Sequence, residues 1–295
     1  MIYFRSNLHM SKLLIVFFSS FISVSIFAQS PLPARGKLFI IGGGDRPPEL
    51  MKAMVDAAHL SKTDYIAVLP MSSADKDTSV YYFQKSMEPV CDNPVVKLDF
   101  TSATANRRSG LDSLEKARLI FITGGQQTRF MDVVLNTPVY DAIHKAYKNG
   151  ALIAGSSAGA AVMSEQMITG KQLLPEAGSK EGFTVIKAGN VEFKKGLGLI
   201  TTAIIDQHFV VRSRYNRLLT ALQTFPELIC IGIDEATAIL VENNKITVAG
   251  EGQVIVLRKP KGITVSGKGL IGLKEAQLSI YVNGDAFEIK KPTNK

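Results

Sequence analysis

The sequence predicts an α/β protein: a doubly wound, mostly parallel sheet with an antiparallel β extension over about residues 236–295. Three observations carry this. Between residues 37 and 155, short β-rich runs bounded by glycine alternate with segments of helical periodicity, the pattern of βαβ units. After residue 235 the helical patterns stop, and apolar runs separated by Asn and Gly turns follow one another. Polar residues of chemical interest gather at the carboxyl ends of the expected strands, where open α/β sheets bind ligands.

In order, the first strand is KLFIIGGG (37–44), then a helix near Pro48–Leu60 and the strand YIAVLP (65–70). A helix near Ser79–Met87 leads to PVVKLDF (94–100), and SGLDSLEKA is helical ahead of RLIFITGG (118–125). A helix near Pro138–Asn149 precedes ALIAG (151–155). TTAIIDQHF (201–209) and LICIGID (228–234) flank a helix at Ser213–Thr224, with Ser213 as its expected N-cap. TAILVE, NKITVAG, GQVIVLRK, GITVSG and LSIYVNG then form the extension. The strand ends collect Gly42–Asp45, Pro70–Ser73, Gly124–Gln127, Gly155–Ser157, Asp206–His208 and Asp234–Glu235. GGGD at residues 42–45 lacks the G-x-G-x-x-G spacing of a dinucleotide site and reads as a tight turn.

The N-terminus stands apart. Arg5 and Lys12 precede a 15-residue apolar run, Leu13 to Phe27, and then the small residue Ala28. This is the layout of a signal peptide over residues 1–28, and the run is short for a membrane span of about 20 residues. The expectation is an exported protein, periplasmic or secreted, with no stable membrane anchor and one domain over residues 29–295. Cleavage would remove two cations and no acids, taking the net charge from +8 to +6. That excess is spread along the chain without interleaved aromatics, which argues against nucleic-acid binding and suits an anionic substrate. Cys91 and Cys230 make no disulfide framework. No Cys/His cluster has metal-ligand spacing, so neither metal nor cofactor is expected.

Gly155-Ser156-Ser157-Ala158-Gly159 matches G-x-S-x-G, the strand-turn-helix nucleophile elbow. Its sharp turn tolerates only small neighbours, and the central Ser157 projects from the apex while Ser156 faces the scaffold. The N–H of Ala158, opening a helix, is placed for a developing oxyanion. A second donor is expected from Gly124 or Gly125 in GGQQ, whose glutamines suit a polar substrate group. A serine needs a base. His59 and His144 fall within amphipathic helices, whereas His208 ends an apolar run at the ligand-facing rim. An acid to orient His208 comes from Asp234 or Glu235, of which only one can face the site; Asp206, two residues from His208, is poorly placed. The order Ser…His…acid is not the Ser…acid…His order of α/β-hydrolases. Arg212, Arg214 and Arg217 crowd the start of the following helix, where cations oppose the helix dipole. Such a placement points to a bound carboxylate.

FITGGQQ, AGSSAGAAVM, DQHFVVRSRYNRLL and PELICIGIDEATA resemble, in this order, blocks of the cyanophycinases, a serine peptidase family that also holds the aspartyl dipeptidases. The likeness runs from about Lys37 into the β tail. It implies a fold related to the class I glutamine amidotransferases, with serine in place of cysteine. It further implies Ser157 as nucleophile, His208 as base and Glu235 as the acid. Gln127, Asp206, Gln207, Arg212, Arg214 and Arg217 fall on substrate-binding positions, with Asp206 available for a substrate guanidinium. The implied reaction is hydrolysis of cyanophycin, a poly-aspartate bearing arginine on each β-carboxylate, to β-aspartyl-arginine dipeptides by a homodimer. A dipeptidase for α-aspartyl or other acidic peptides and a catalytically inactive binding relative are the alternatives. The segment between Met167 and Gly196 looks longer than in the cytoplasmic enzymes and is expected to border the cleft.

Overall fold

The computed structural model describes Met1, residues 36–174 and residues 184–289. The expected signal peptide, with its cleavage point at Ala28, lies outside the described residues apart from Met1. The described residues from 36 onward fall within one compact unit. Among the described residues no helix is long and apolar enough to cross a membrane.

The alternating half folds as its pattern predicts. Strand β1 (Lys37–Ile41) is followed by α1 (Pro48–Ala58), β2 (Ile66–Leu69), α2 (Lys76–Met87), β3 (Val95–Lys97), α3 (Arg108–Lys116) and β4 (Leu119–Ile122). Next come α4 (Gln127–Val134), α5 (Pro138–Lys148), β5 (Leu152–Ser156) and the single turn α6 (Ala158–Ala161). Local chemistry sets the starts: Pro48 and Pro138 occupy first-turn positions where no donor is lost, and Asp75 caps α2 by accepting the Thr78 N–H at 3.0 Å. β6 (Gln166–Gln172) and β7 (Val191–Lys195) form an antiparallel hairpin across much of the long segment, of which residues 175–183 lie outside the description. The chain closes with β8 (Ala203–Gln207), α7 (Tyr215–Thr224), β9 (Ile229–Ile233), β10 (Thr237–Glu242), β11 (Lys245–Gly250), β12 (Val254–Lys261), β13 (Thr264–Val265), β14 (Ile271–Gly272), β15 (Glu275–Tyr281) and β16 (Ala286–Glu288).

The main sheet has the order β16-β11-β10-β1-β5-β4-β2-β3; β1, β5, β4, β2 and β3 are parallel, and β10, β11 and β16 extend it antiparallel from β1. This corrects the expected organisation in two respects. The last strands are not one extension, because β10, β11 and β16 join the main sheet while β12 and β15 join β9. β8 and β9 are likewise not strands of the main sheet; with β12 and β15 they form a second one, ordered β15-β12-β9-β8. The physical reason is the alternation of side chains. Ile229, Ile231 and Ile233 point into the core shared with Leu38 and Ile40 of β1, while Cys230, Ile255 and Leu257 point the other way, under Leu218 and Leu222 of α7. Two apolar faces need two partners, so β9 lies between the shared core and its own helix. Phe39, Ile41 and Phe121 pack on the far face of the main sheet against α1 and α2.

Cys91 and Cys230 are both free, the latter fully buried with its thiol pKa pushed up by burial. His59 ends α1 in the left-handed conformation, and His144 hydrogen-bonds the Leu197 carbonyl at 2.8 Å. Both therefore do ordinary structural work.

Candidate active site

β5 delivers Ser157 through a turn that tolerates no larger residues. A Cβ on Gly155 would overlap the Gly159 carbonyl, and a Cβ on Gly159 would overlap that of Ile122 at the end of β4. Ser157 itself takes φ 54° and ψ −108°, outside the regions that non-glycine residues ordinarily occupy. Ser156 is buried in β5, its Cα in register with that of Ile41, as the alternation requires.

His208 follows β8 directly, also with a positive φ of 48°. Its Nε2 is 2.9 Å from Ser157 Oγ, and its Nδ1 meets Glu235 Oε1 in a short contact. With Nδ1–H given to the carboxylate, Nε2 is left as the acceptor for the serine hydroxyl. The structure thus brings Ser157, His208 and Glu235 into one hydrogen-bonded chain and separates the two adjacent acids. Asp234 faces the other way and accepts the Val210 and Val211 N–H groups at 3.1 and 3.0 Å, fixing the turn after His208. Burial pushes His208 below its ordinary pKa; the Glu235 hydrogen bond opposes this, and the charges of Arg212 and Arg214 reinforce it. The imidazole is therefore neutral at neutral pH.

One stretch not read as functional from the sequence holds the three together. The Ile41 carbonyl accepts the N–H of Ser157 at 3.1 Å, that of Gly42 accepts His208 at 2.8 Å, and that of Gly43 accepts Ala236, next to Glu235, at 3.0 Å. The absent side chains make the room. A Cβ on Gly43 would overlap the His208 imidazole, and one on Gly44 would press on Glu235. Both glycines have positive φ, 123° and 68°. The signal was visible as three consecutive glycines ending a strand, but a tight turn explained it equally well.

The expected oxyanion donors border Ser157. Ala158 opens α6, so its N–H has no intrahelical acceptor. A Cβ on Gly124 would stand 3.6 Å from Ser157 Cβ.

The substrate-side residues need more correction. Asp206, expected to be free for a guanidinium, is buried and accepts two hydrogen bonds from Arg217, Nε to Oδ2 at 2.6 Å and Nη2 to Oδ1. β8 buries residue 206 on both sides, and a carboxylate there needs a cation. Arg217 is correspondingly buried in this pair rather than open to ligand. Arg214 donates through Nη1 to the Gln207 carbonyl and Oε1 at 2.6 and 2.8 Å; burial first, and neighbouring arginines second, bring its pKa down to about 10. Gln207 is buried beside the half-buried Arg214, and Gln127 donates to the Ile168 carbonyl of β6 at 2.9 Å. Among the described residues Arg212 is the exposed member of the arginine group. Ser213 is not the N-cap, because residues 209–214 form turns and α7 starts at Tyr215; of the three arginines only Arg217 lies in its first turn. The hairpin does border this region: a Cβ on Gly170 of β6 would approach Gln127 Nε2 at 3.7 Å and Arg217 Nη1 at 3.9 Å. No group of three or more His, Cys, Asp or Glu side chains able to hold a metal occurs among the described residues.

A strand-turn-helix serine backed by imidazole and carboxylate on an α/β sheet defines a serine hydrolase. Residues 38–249 match Peptidase family S51, and the chain belongs to that family, which makes it a serine peptidase. It is 31% identical over 281 residues to a cyanophycinase of Nostoc sp. (strain PCC 7120), covering 91% of each chain. It is 38% identical over 184 residues to a cyanophycinase of Geminocystis herdmanii, covering 60% of this chain and 64% of the relative. A crystal structure of a peptidase from an acI-B1 Actinobacterium shares the fold with a TM-score of 0.62 at 18% identity, covering 86% of this chain and 97% of its own.

Proposed function

We propose that this peptidase is exported and hydrolyses cyanophycin to β-aspartyl-arginine dipeptides. The observation that carries the chemistry is the continuous chain from Ser157 Oγ through His208 to Glu235. Ser157 attacks the peptide carbonyl, and His208 Nε2 takes its proton and returns it to the leaving amine. Glu235 holds the imidazole tautomer and stabilises the imidazolium. The N–H groups of Ala158 and of the Gly124–Gly125 turn receive the oxyanion. Water then cleaves the acyl-enzyme with His208 as base. The exposed Arg212 beside this chain is the candidate contact for a substrate carboxylate, while Arg214, Arg217, Gln207 and Asp206 shape the wall behind it. The cyanophycinase relatives support the substrate, and the apolar run after Arg5 and Lys12 supports export.

One observation favours a second reading, a peptidase for short aspartyl peptides: Gln127, expected to bind substrate, is instead held by the Ile168 carbonyl of β6. Incubation with cyanophycin and with Asp-X dipeptides at neutral pH, followed by mass analysis of products, separates the two. Release of β-aspartyl-arginine supports the first reading; turnover of dipeptides alone replaces it with the second. Recovery of the mature protein from a periplasmic or culture fraction, beginning near residue 29, checks the export.

A further inference from the structure

Ser72 lies just past the end of β2, fully buried, and is not a member of the Ser157–His208–Glu235 chain. Its hydroxyl is 2.6 Å from the Thr123 carbonyl and 3.1 Å from the Gly124 carbonyl, and it stands 3.1 Å from the Thr123 hydroxyl. Its own carbonyl accepts the Gln126 N–H at 2.9 Å and Arg129 Nη1 at 3.1 Å. Gly125 leans on the same residue: at φ 135° it could carry no Cβ without overlapping the Ser72 carbonyl. One serine therefore grips the whole turn from Thr123 to Gln126.

The direction of that grip matters. In a trans peptide the N–H points opposite to the C=O. Drawing the Thr123 and Gly124 carbonyls toward Ser72 turns the N–H groups of Gly124 and Gly125 away from it. Neither N–H has a hydrogen-bond partner among the described residues. Gly124 also lies against Ser157, at the 3.6 Å spacing between its would-be Cβ and Ser157 Cβ. A Gly-Gly peptide left to itself rotates with little steric resistance.

We propose that Ser72 is a positioning residue that locks the Gly124–Gly125 turn so that its N–H groups face the oxyanion formed at Ser157. The proposal rests on the reading of Ser157 as nucleophile. It makes Ser72 a determinant of transition-state stabilisation, with no part in ground-state binding. The test measures kcat and KM on a peptide that the wild type cleaves, and the rate at which a fluorophosphonate labels Ser157 per folded molecule. Ser72→Ala should lower kcat and the labelling rate together by about 10–100-fold, approaching the loss of one oxyanion donor, with KM within about 2-fold. A merely structural role would reduce the amount of folded protein and leave the rate per folded molecule unchanged, which overturns the proposal. Should Ser72→Ala not fold, Arg129→Ala at a surface position removes one of the two donors to the Ser72 carbonyl, loosens the residue that grips the turn, and should lower the same two rates by about 3–10-fold; unchanged rates overturn it. A wild-type protein that is not labelled at Ser157 overturns instead the nucleophile reading.

Discussion

Ser157 and His208 reach the same point of space by different means. The serine stands on a turn whose shape is set by its own neighbours, Gly155 and Gly159, which touch each other and the end of β4. The histidine and Glu235 come from a second sheet and are registered against Ser157 by the carbonyls of Ile41, Gly42 and Gly43, far upstream in the chain. One half of the site is locally encoded, and the other is encoded by the docking of two sheets. A local motif is robust and easy to recognise; a docked one is sensitive to residues that have no chemistry of their own.

The largest effect is expected on the local half. Ser157→Ala should lower kcat by about 10⁴–10⁶-fold, the range seen when a serine hydrolase loses its nucleophile. Progress curves on any peptide the wild type cleaves read this directly, and a loss below tenfold would end the assignment. Next, Glu235→Gln keeps the shape of the acid but removes the charge that selects the His208 tautomer; about a 10⁴-fold fall in kcat is expected. Gly43→Ala sharpens the contrast most, since it adds one methyl group outside the reacting chain. Its Cβ would displace the imidazole, so kcat should drop about 10²-fold, the cost of a roughly 1 Å misplacement. Retained activity would show that the second sheet is not registered through this tripeptide.

The pH profile tests the same docking electrostatically. Burial lowers the pKa of His208, and so do Arg212 and Arg214, against the Glu235 hydrogen bond. The base form therefore persists as pH falls through the ordinary histidine range near 6.5. The acid limb of kcat/KM should lie below that range, and Arg212→Gln should move it upward. The smallest effect is expected from Ser156→Ala, within about 3-fold of wild type, because that side chain faces the scaffold. Losses matching those of Ser157→Ala would mean that the apex had been misassigned.

Legibility in the sequence follows the same division. The parallel half of the fold, the elbow and the helices opened by Pro48 and Pro138 rest on local spacing, and all could be read. The choice between Asp234 and Glu235 could not be made from alternation alone; it depends on Asp234 being occupied by the turn at Val210 and Val211. The splitting of the final strands between two sheets was equally hidden, since TAILVE and GQVIVLRK carry similar patterns and differ only in which neighbour covers them. The cluster of charges after His208 was visible, but its internal pairing was not. Asp206 and Arg217 satisfy each other, and nothing in their spacing distinguishes that from two groups awaiting a ligand.

The three successive carbonyls at the end of β1 make activity a conjunction. The serine arrives with β5, the base with β8, and the acid with the residues after β9, and each is fastened to a different peptide of one short segment. These pairings join residues remote in sequence, so the loops between them must close before any of the three contacts can contribute. Without the docking of β8 against the end of β1, Ser157 would stand with no base beside it. The Ser157 hydroxyl therefore becomes a nucleophile only where all three fastenings hold together, so that hydrolysis depends on the docked arrangement and not on the elbow alone.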